Sequence, residues 1–345
     1  MSSAHAAGLT YVTDSVPGMS RKRVGAGFAY YTPAGRLIRD RALRKRLAKL
    51  AIPPAWTEVW ICPSTSGHIQ ATARDAKGRK QYRYHPRFRA LRDESKFGRM
   101  LSFSNALLAL REQIERDLLA PGLSRRKLLA TVVRFLDKTL IRVGNDEYAR
   151  ANQSYGLTTL RRRHVDVSGH TIRFQFRGKS GIEHTIAVTD RRLAGIVAEL
   201  QDLPGQELFK YLDANGRRQS VDSDDVNAYL REVTGLDVTA KDFRTWSGTM
   251  LAARALRDLG PPANQRIAKL NVNKALDQVA ARLGNTRAVC RKYYVHPVII
   301  EAYERGIAAP APEPVRHRRS RPSASLRRDE ITILQFLHEE LETKT

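Results

Sequence analysis

Apolar residues along the chain fall in short runs whose period changes from segment to segment, and those changes mark out the elements. Glu58-Val59-Trp60-Ile61-Cys62 and Ile69-Gln70-Ala71-Thr72-Ala73 predict two strands, separated by the turn-rich Pro63-Ser64-Thr65-Ser66-Gly67. Over residues 100–117 the apolar positions recur at helical spacing. Ser124 then stands at the N-cap of a second helix that turns Leu128, Val132, Phe135 and Leu136 inward. Across 163–176 the period drops to two. Val165 and Val167 alternate with polar neighbours, Ser168-Gly169-His170 turns the chain, and Ile172, Phe174 and Phe176 alternate again. A further turn at Arg177-Gly178-Lys179-Ser180-Gly181 leads to Ile186 and Val188, which predicts a three-stranded antiparallel sheet with Lys179 at a loop tip. Helical patterns return over 190–200, 222–234 and 241–256, the last with Phe243, Trp246 and Met250 on one face and Arg244 beside it. Residues 310–328, rich in Pro, Ser and Arg, predict a flexible basic linker, and Ile331, Leu334, Leu337 and Leu341 predict one side of a short closing helix.

Composition narrows the class. The 345 residues suffice for two or three domains with apolar cores, and 42% of them are hydrophobic, which argues against disorder throughout. No run approaches the ~18 apolar residues of a membrane helix, so no membrane partner is expected. The small, polar start of the chain does not predict a secretory leader. Cys62 and Cys290 are the only two cysteines, too few for a disulfide scaffold or a cysteine zinc site, and a reducing compartment is expected.

Charge adds a partner. Lys and Arg number 60 against 35 Asp and Glu, a formal charge of +25. The first 100 residues hold 20 of those cations and only 6 of the acids. Solubility asks for a net magnitude of only about 2–8 in a small domain, so the excess points to a polyanion. It is densest across residues 74–85, where Arg74, Lys77, Arg79 and Lys80 suit phosphates and Gln81, Tyr82 and Tyr84 suit bases and sugars.

Familiar nucleotide and metal motifs are missing. Gly178-Lys179-Ser180 resembles the end of a phosphate loop, but the glycine required five residues earlier is replaced by Arg173. The nine histidines show no His-Glu-x-x-His spacing, so no metal site is expected.

Several ordered blocks carry a resemblance. They are Ile52-Pro53-Pro54-Ala55-Trp56, Gly67-His68-Ile69-Gln70-Ala71, the Arg74-to-Tyr82 segment, Ile141-Arg142-Val143-Gly144-Asn145, Lys241-Asp242-Phe243-Arg244-Thr245-Trp246, and Leu283-Gly284-Asn285-Thr286 leading to Tyr294-Val295-His296-Pro297. With them, the chain from about Arg21 to Tyr303 resembles the type IB DNA topoisomerases of the small bacterial and poxviral kind. It departs from their pattern at Ala73, Phe88 and Arg287, where glycine, tryptophan and proline are usual.

The resemblance implies that Tyr294 is the nucleophile and that Arg142, Lys179, Arg244 and Asn285 complete the catalytic set. Asn285 falls where viral and eukaryotic members have histidine and bacterial ones asparagine. By the same resemblance, Arg74, Lys77, Arg79, Lys80, Gln81, Tyr82, Tyr84, Asn145 and Lys241 contact DNA. The chemistry agrees with these residue types. Attack on a phosphodiester builds charge that guanidinium forks neutralise, and the departing 5′ oxygen needs a proton that Lys179 supplies. The implied function is ATP-independent relaxation of supercoiled duplex DNA through a 3′-phosphotyrosyl intermediate, with no cofactor, by a monomer in the bacterial cytoplasm and nucleoid.

The expected architecture is α+β. A small β-rich N-terminal DNA-binding domain (1–97) and a mainly helical catalytic domain with the three-stranded sheet (98–306) form a clamp around DNA, followed by the linker and short helix (307–345). Two rivals remain at this point. A tyrosine recombinase or integrase uses the same nucleophile, but Lys241-x-x-Arg244 stands where recombinases favour His-x-x-Arg. A non-catalytic duplex-binding protein would bind DNA without changing its linking number.

Overall fold

A computed structural model of the protein describes residues 5, 8–76, 78–213, 215–313 and 322–343. The chain divides into two compact units, Met1–Gly98 and Arg99–Thr345.

The first unit is built on five antiparallel strands: β1 (Met19–Val24), β2 (Gly27–Tyr31), β3 (Thr57–Ile61), β4 (Ile69–Arg74) and β5 (Lys80–Tyr84), in the order β2-β1-β3-β4-β5. Helix α1 (Arg41–Lys49) is capped by Asp40, whose carboxylate accepts the Leu43 N–H at 2.6 Å, and it seats Leu47 among Met19, Ile38, Ile52, Val59, Ile61 and Ala71. Buried Arg21 donates to the carbonyls of Ile52, Pro53 and Trp56 at 2.7, 2.8 and 2.9 Å. One guanidinium thus holds the whole Ile52-to-Trp56 block in place. The basic segment is itself part of the sheet. Residues 80–84 form β5 themselves, paired with β4, and the turn between the two strands is closed by Asp75 with Gly78 in the left-handed region at φ +73°.

The second unit is mainly helical. Helices α2 (Pro86–Leu118, within which the division between units falls), α3 (Arg125–Thr139), α4 (Asp146–Asn152), α5 (Arg191–Asp202), α6 (Ser223–Thr234), α7 (Ala240–Asp258), α8 (Gln265–Leu283), α9 (Arg287–Tyr293), α10 (Pro297–Glu304) and α11 (Pro322–Glu342) accompany a sheet ordered β6-β7-β8, formed by Val165–Ser168, Thr171–Arg177 and Glu183–Thr189. A small ribbon, β9 (Lys210–Leu212) and β10 (Arg218–Ser220), stands apart from that sheet. With the five-stranded sheet of the first unit, the fold is mixed α and β, a β-sheet N-terminal region and a helical core.

Helix α3 is the axis of this core. Ser124 caps it as the sequence predicts, and Leu128, Val132, Phe135 and Leu136 are all buried. Phe135 packs edge-on against Phe174 of the sheet and Phe209, with ring centroids 5.1 and 6.1 Å away. The helix stops at Leu140, a non-glycine residue in the left-handed region (φ +61°), which is rarely populated without compensation. That turn sends Ile141 back into the core and leaves Arg142 half-buried.

The closing helix corrects its predicted stripe. It begins at Pro322, inside the segment read as linker, and Ile331 lies on its exposed side. Its inward face is formed by Ile333, Phe336 and Leu337 together with the buried carboxylates Asp329 and Glu340. Asp329 accepts from Arg254 and Arg257 of α7, Glu330 accepts from Arg111 at 2.6 Å, and Glu340 pairs with Arg305. Of the rest of the predicted linker, residues 314–321 lie outside the described residues.

Phe135 has no exposed surface, and truncating a buried phenylalanine costs about 3–5 kcal/mol. Urea unfolding of Phe135→Ala should show a loss of that size. A loss below ~1 kcal/mol would mean that α3 is not the axis of the core.

Candidate active site

Two arginines meet where helices end. Arg244, on α7, is 5% exposed. It donates to the Leu140 carbonyl at the end of α3 and to the Leu283 carbonyl at the end of α8, the latter at 2.6 Å. Carbonyls in the last turn of a helix have no partner within it and carry the negative end of its dipole, so both are suited to a cation. Arg142 donates to the Gly284 carbonyl at 3.2 Å and to Asn285 Oδ1 at 2.8 Å. Gly284 caps α8 in the left-handed conformation (φ +56°), and this turn brings Asn285 to Arg142.

Tyr294 is held against the same helix. It closes α9, its N–H donating to the Cys290 carbonyl at 2.9 Å. Its backbone lies against Gly248 of α7, so closely that a Cβ there would stand 2.5 Å from the Tyr294 carbonyl oxygen. At the next residue of α7, Thr249 Oγ1 accepts the His296 N–H at 3.0 Å, His296 caps α10, and Pro297 occupies the first turn of that helix. The Tyr-Val-His-Pro block is therefore a helix-to-helix junction, with Val295 fully buried beneath it. The Arg244 guanidinium lies over the Tyr294 ring, 5.3 Å from its centroid.

Lys179 sits at the tip between β7 and β8, exposed, with Ser180 and Gly181 both at positive φ. Arg142, Asn145, Lys179, Lys241, Arg244 and Tyr294 line one cleft of about 420 Å³, together with Tyr148, Ser154 and Tyr155.

The electrostatics favour an anion in this cleft. Among the described residues Arg142, Lys179 and Arg244 form no ion pair. Arg244 Nε and Asn285 Nδ2 are buried donors with no partner. Such groups are costly to leave unmade. Burial, and after it the Arg244 charge, lowers the Arg142 guanidinium below the ordinary arginine range; burial lowers that of Arg244, opposed by Tyr294. A guanidinium keeps its charge at neutral pH, so an anion bound here would offset the cost of burying the two. Cys290, buried beside them, has its thiol pushed up to about 11 by burial and is unreactive packing.

The expected DNA contacts divide between the units. Asn145 uses its side-chain oxygen to cap α4 (Tyr148 N–H, 2.9 Å) while lining the cleft. Lys241, also at the cleft, has Nζ 6.0 Å from the Tyr293 ring. In the first unit the cations already have carboxylate partners: Arg74 with Glu58 at 2.9 Å, Arg79 with Asp75, and Lys80 with Asp14, both at 2.6 Å. Gln81 donates to Asp75 at 2.9 Å, and Tyr82, 42% exposed, stacks on Tyr84. Lys77 lies outside the described residues. The sequence reading missed Tyr148, which α4 presents to the cleft, and Ser154 and Tyr155, which reach it from the loop after that helix; no periodicity reports either placement.

Known proteins align with both units. Residues 85–315 match the family model described as "Eukaryotic DNA topoisomerase I, catalytic core", and residues 27–75 match "Bacterial DNA topoisomerase IB, N-terminal domain". The DNA topoisomerase 1B of Acanthamoeba polyphaga mimivirus is 32% identical over 294 residues, 83% of this chain and 88% of the viral protein. The Vaccinia virus (strain Copenhagen) DNA topoisomerase 1B is 24% identical over 236 residues, 66% of this chain and 70% of that protein. The mitochondrial DNA topoisomerase I of Rattus norvegicus is 27% identical over 197 residues, 53% of this chain and 31% of that one.

An oxyanion that binds only the folded protein raises its melting temperature. Inorganic phosphate should therefore stabilise the protein, and Arg142→Ala should lose a substantial part of that gain. An identical gain in the variant would place the anion elsewhere on this cationic chain.

Proposed function

The chain belongs to the type IB DNA topoisomerase family, and from that premise we propose that the cleft around Arg142 and Arg244 is where it cuts and rejoins one strand of duplex DNA. It is a DNA topoisomerase, an isomerase whose substrate is DNA. In our reading Tyr294 Oη attacks the scissile phosphorus. The phenolic proton leaves to solvent, an Oη–P bond forms, and the P–O5′ bond breaks. The product is a 3′-phosphotyrosyl link and a free 5′ hydroxyl.

Each other residue has a separate task. Arg142 and Arg244 hold the non-bridging oxygens as negative charge grows on them, and Asn285 Nδ2 supplies a further neutral donor. The observation that carries this assignment is the pair of unpartnered buried donors, Arg244 Nε and Asn285 Nδ2, beside two guanidiniums that have no carboxylate partner among the described residues. Lys179 gives its proton to the departing O5′ and takes it back on religation. Its exposed place at a hairpin tip suits a group that closes over bound DNA. The phosphotyrosyl bond keeps the energy of the broken linkage, so the free end rotates and reattacks without ATP or an obligatory metal.

The remaining assignments belong to the same proposal. Residues 1–97 and 98–306 act as two halves of a clamp on duplex DNA, with supercoiled DNA preferred, and 307–345 is an appendage to the second. Arg74, Lys77, Arg79, Lys80, Gln81, Tyr82, Tyr84, Asn145 and Lys241 contact the duplex. An exposed ion pair is worth only ~0–1 kcal/mol, so Glu58 gives way readily to a phosphate at Arg74, while the partly buried Asp75 and Asp14 hold Arg79 and Lys80 more firmly. The enzyme works as a monomer in the bacterial cytoplasm, at the nucleoid.

Negatively supercoiled plasmid incubated with the protein in EDTA, without ATP, should relax. Tyr293→Phe should relax it as well, and Tyr294→Phe should not. Relaxation at the normal rate by Tyr294→Phe would remove the central assignment. Lys179→Ala should slow cleavage about 10²–10⁴-fold on a normal substrate and far less where the leaving atom is a 5′ sulfur, which departs without a proton. Equal slowing on both would remove the general-acid role.

A further inference from the structure

His184 lies between the two loops that carry Lys179 and Asn285. It pairs with Phe176 across β7 and β8, and the two rings stack with centroids 5.1 Å apart and planes 21° from parallel. One edge of the imidazole covers Gly178, the residue before Lys179: a Cβ built there would stand 2.6 Å from His184 Cδ2 and Nε2. The other edge meets Gly284, the residue before Asn285, where a Cβ would stand 2.7 Å from His184 Cε1. Both contacts require glycine. A single flat ring thus occupies a slot whose walls are the neck of the Lys179 hairpin and the cap of α8.

That position matters because the hairpin is anchored at its neck. Gly178 N–H donates to the Ile182 carbonyl at 2.7 Å and Gly181 N–H to the Gly178 carbonyl at 3.1 Å, closing a tight loop beneath an exposed lysine. On the other wall, Gly284 and Asn285 are fixed through their bonds to Arg142. The ring is the spacer that sets one wall against the other. Burial, followed by the Arg142 and Arg244 charges, lowers the His184 imidazole below its ordinary value, so at neutral pH the spacer is uncharged beside two guanidiniums.

We propose that His184 is a positioning residue that sets the direction in which Lys179 enters the cleft, so that the lysine meets the departing 5′ oxygen. The inference rests on the assignment of Lys179 as proton donor. A misplacement of ~1 Å in a catalytic group costs up to about 10²-fold in rate, so the effect of losing the spacer is large enough to measure.

The test is single-turnover cleavage of two duplexes, one with a normal 5′ oxygen and one with a 5′ sulfur at the scissile bond. His184→Ala should cut the rate on the oxygen substrate by about 10–100-fold while leaving the sulfur substrate within ~3-fold of wild type. Adding His184→Ala to Lys179→Ala should cost almost nothing more, because the two act through one group. His184→Phe, which keeps a flat neutral ring stacked on Phe176, should recover most of the oxygen-substrate rate, and it keeps the test valid if the alanine variant folds poorly. Equal losses on the two substrates, or a full multiplicative loss in the double variant, would overturn the inference. If Lys179→Ala were itself not relieved by sulfur, the general-acid reading would fail instead, and the double variant would still report whether His184 acts through Lys179.

Discussion

Everything at the site depends on the guanidinium of Arg244 being bonded to the last carbonyls of two helices. A buried cation without a carboxylate costs several kcal/mol. The chain partly offsets that cost with Leu140 and Leu283, whose carbonyls would otherwise be unpaired ends of α3 and α8. Because both helices end on one cation, the residues just beyond them are brought together: Arg142 after α3, Asn285 after α8. The same α7 that carries Arg244 offers Gly248 and Thr249 to the Tyr294 junction. An acidic partner would have satisfied Arg244 more fully, and it would also have occupied the space into which the guanidinium's remaining donor points.

The clamp of ion pairs at the other face of α7 serves the same arrangement. Asp329 and Glu330 of α11 pair with Arg254, Arg257 and Arg111, and Trp246 Nε1 donates to Glu330 at 3.3 Å. Among the described residues, helix α7 is therefore tied at its back by carboxylates, while Arg244 at its front pairs with none.

Local rules made much of this legible. The Ser124 cap, the alternation of Ile172, Phe174 and Phe176, and the turn presenting Lys179 follow from short-range chemistry that a sequence displays directly. The closing helix departs from its predicted stripe for a physical reason: two of the five buried residues on its inward face, Asp329 and Glu340, are carboxylates, which an apolar periodicity counts as solvent-facing. Residues 80–84 hid their strand because cations and tyrosines in alternation suit a DNA-facing surface as well as a sheet edge. The ordered blocks named the polar residues of the cleft, but their meeting place depends on where α3, α7, α8 and α9 end in space. Tyr148, Tyr155 and His184 carry no sequence signal at all; the last is placed by strand register and by two glycines more than a hundred residues apart.

The ion pairs of the first unit bear on how the protein would respond to ionic strength. Arg74, Arg79 and Lys80 are held by Glu58, Asp75 and Asp14, and the Asp14 carboxyl lies below its usual range chiefly because of its bond to Lys80. If, as proposed, a phosphate takes one of these side chains, the carboxylate left behind would gather a cation from solution. The counterion the DNA releases would then be partly recaptured by the protein. For this surface the slope of log affinity against log salt would be shallower than the number of cation–phosphate contacts implies.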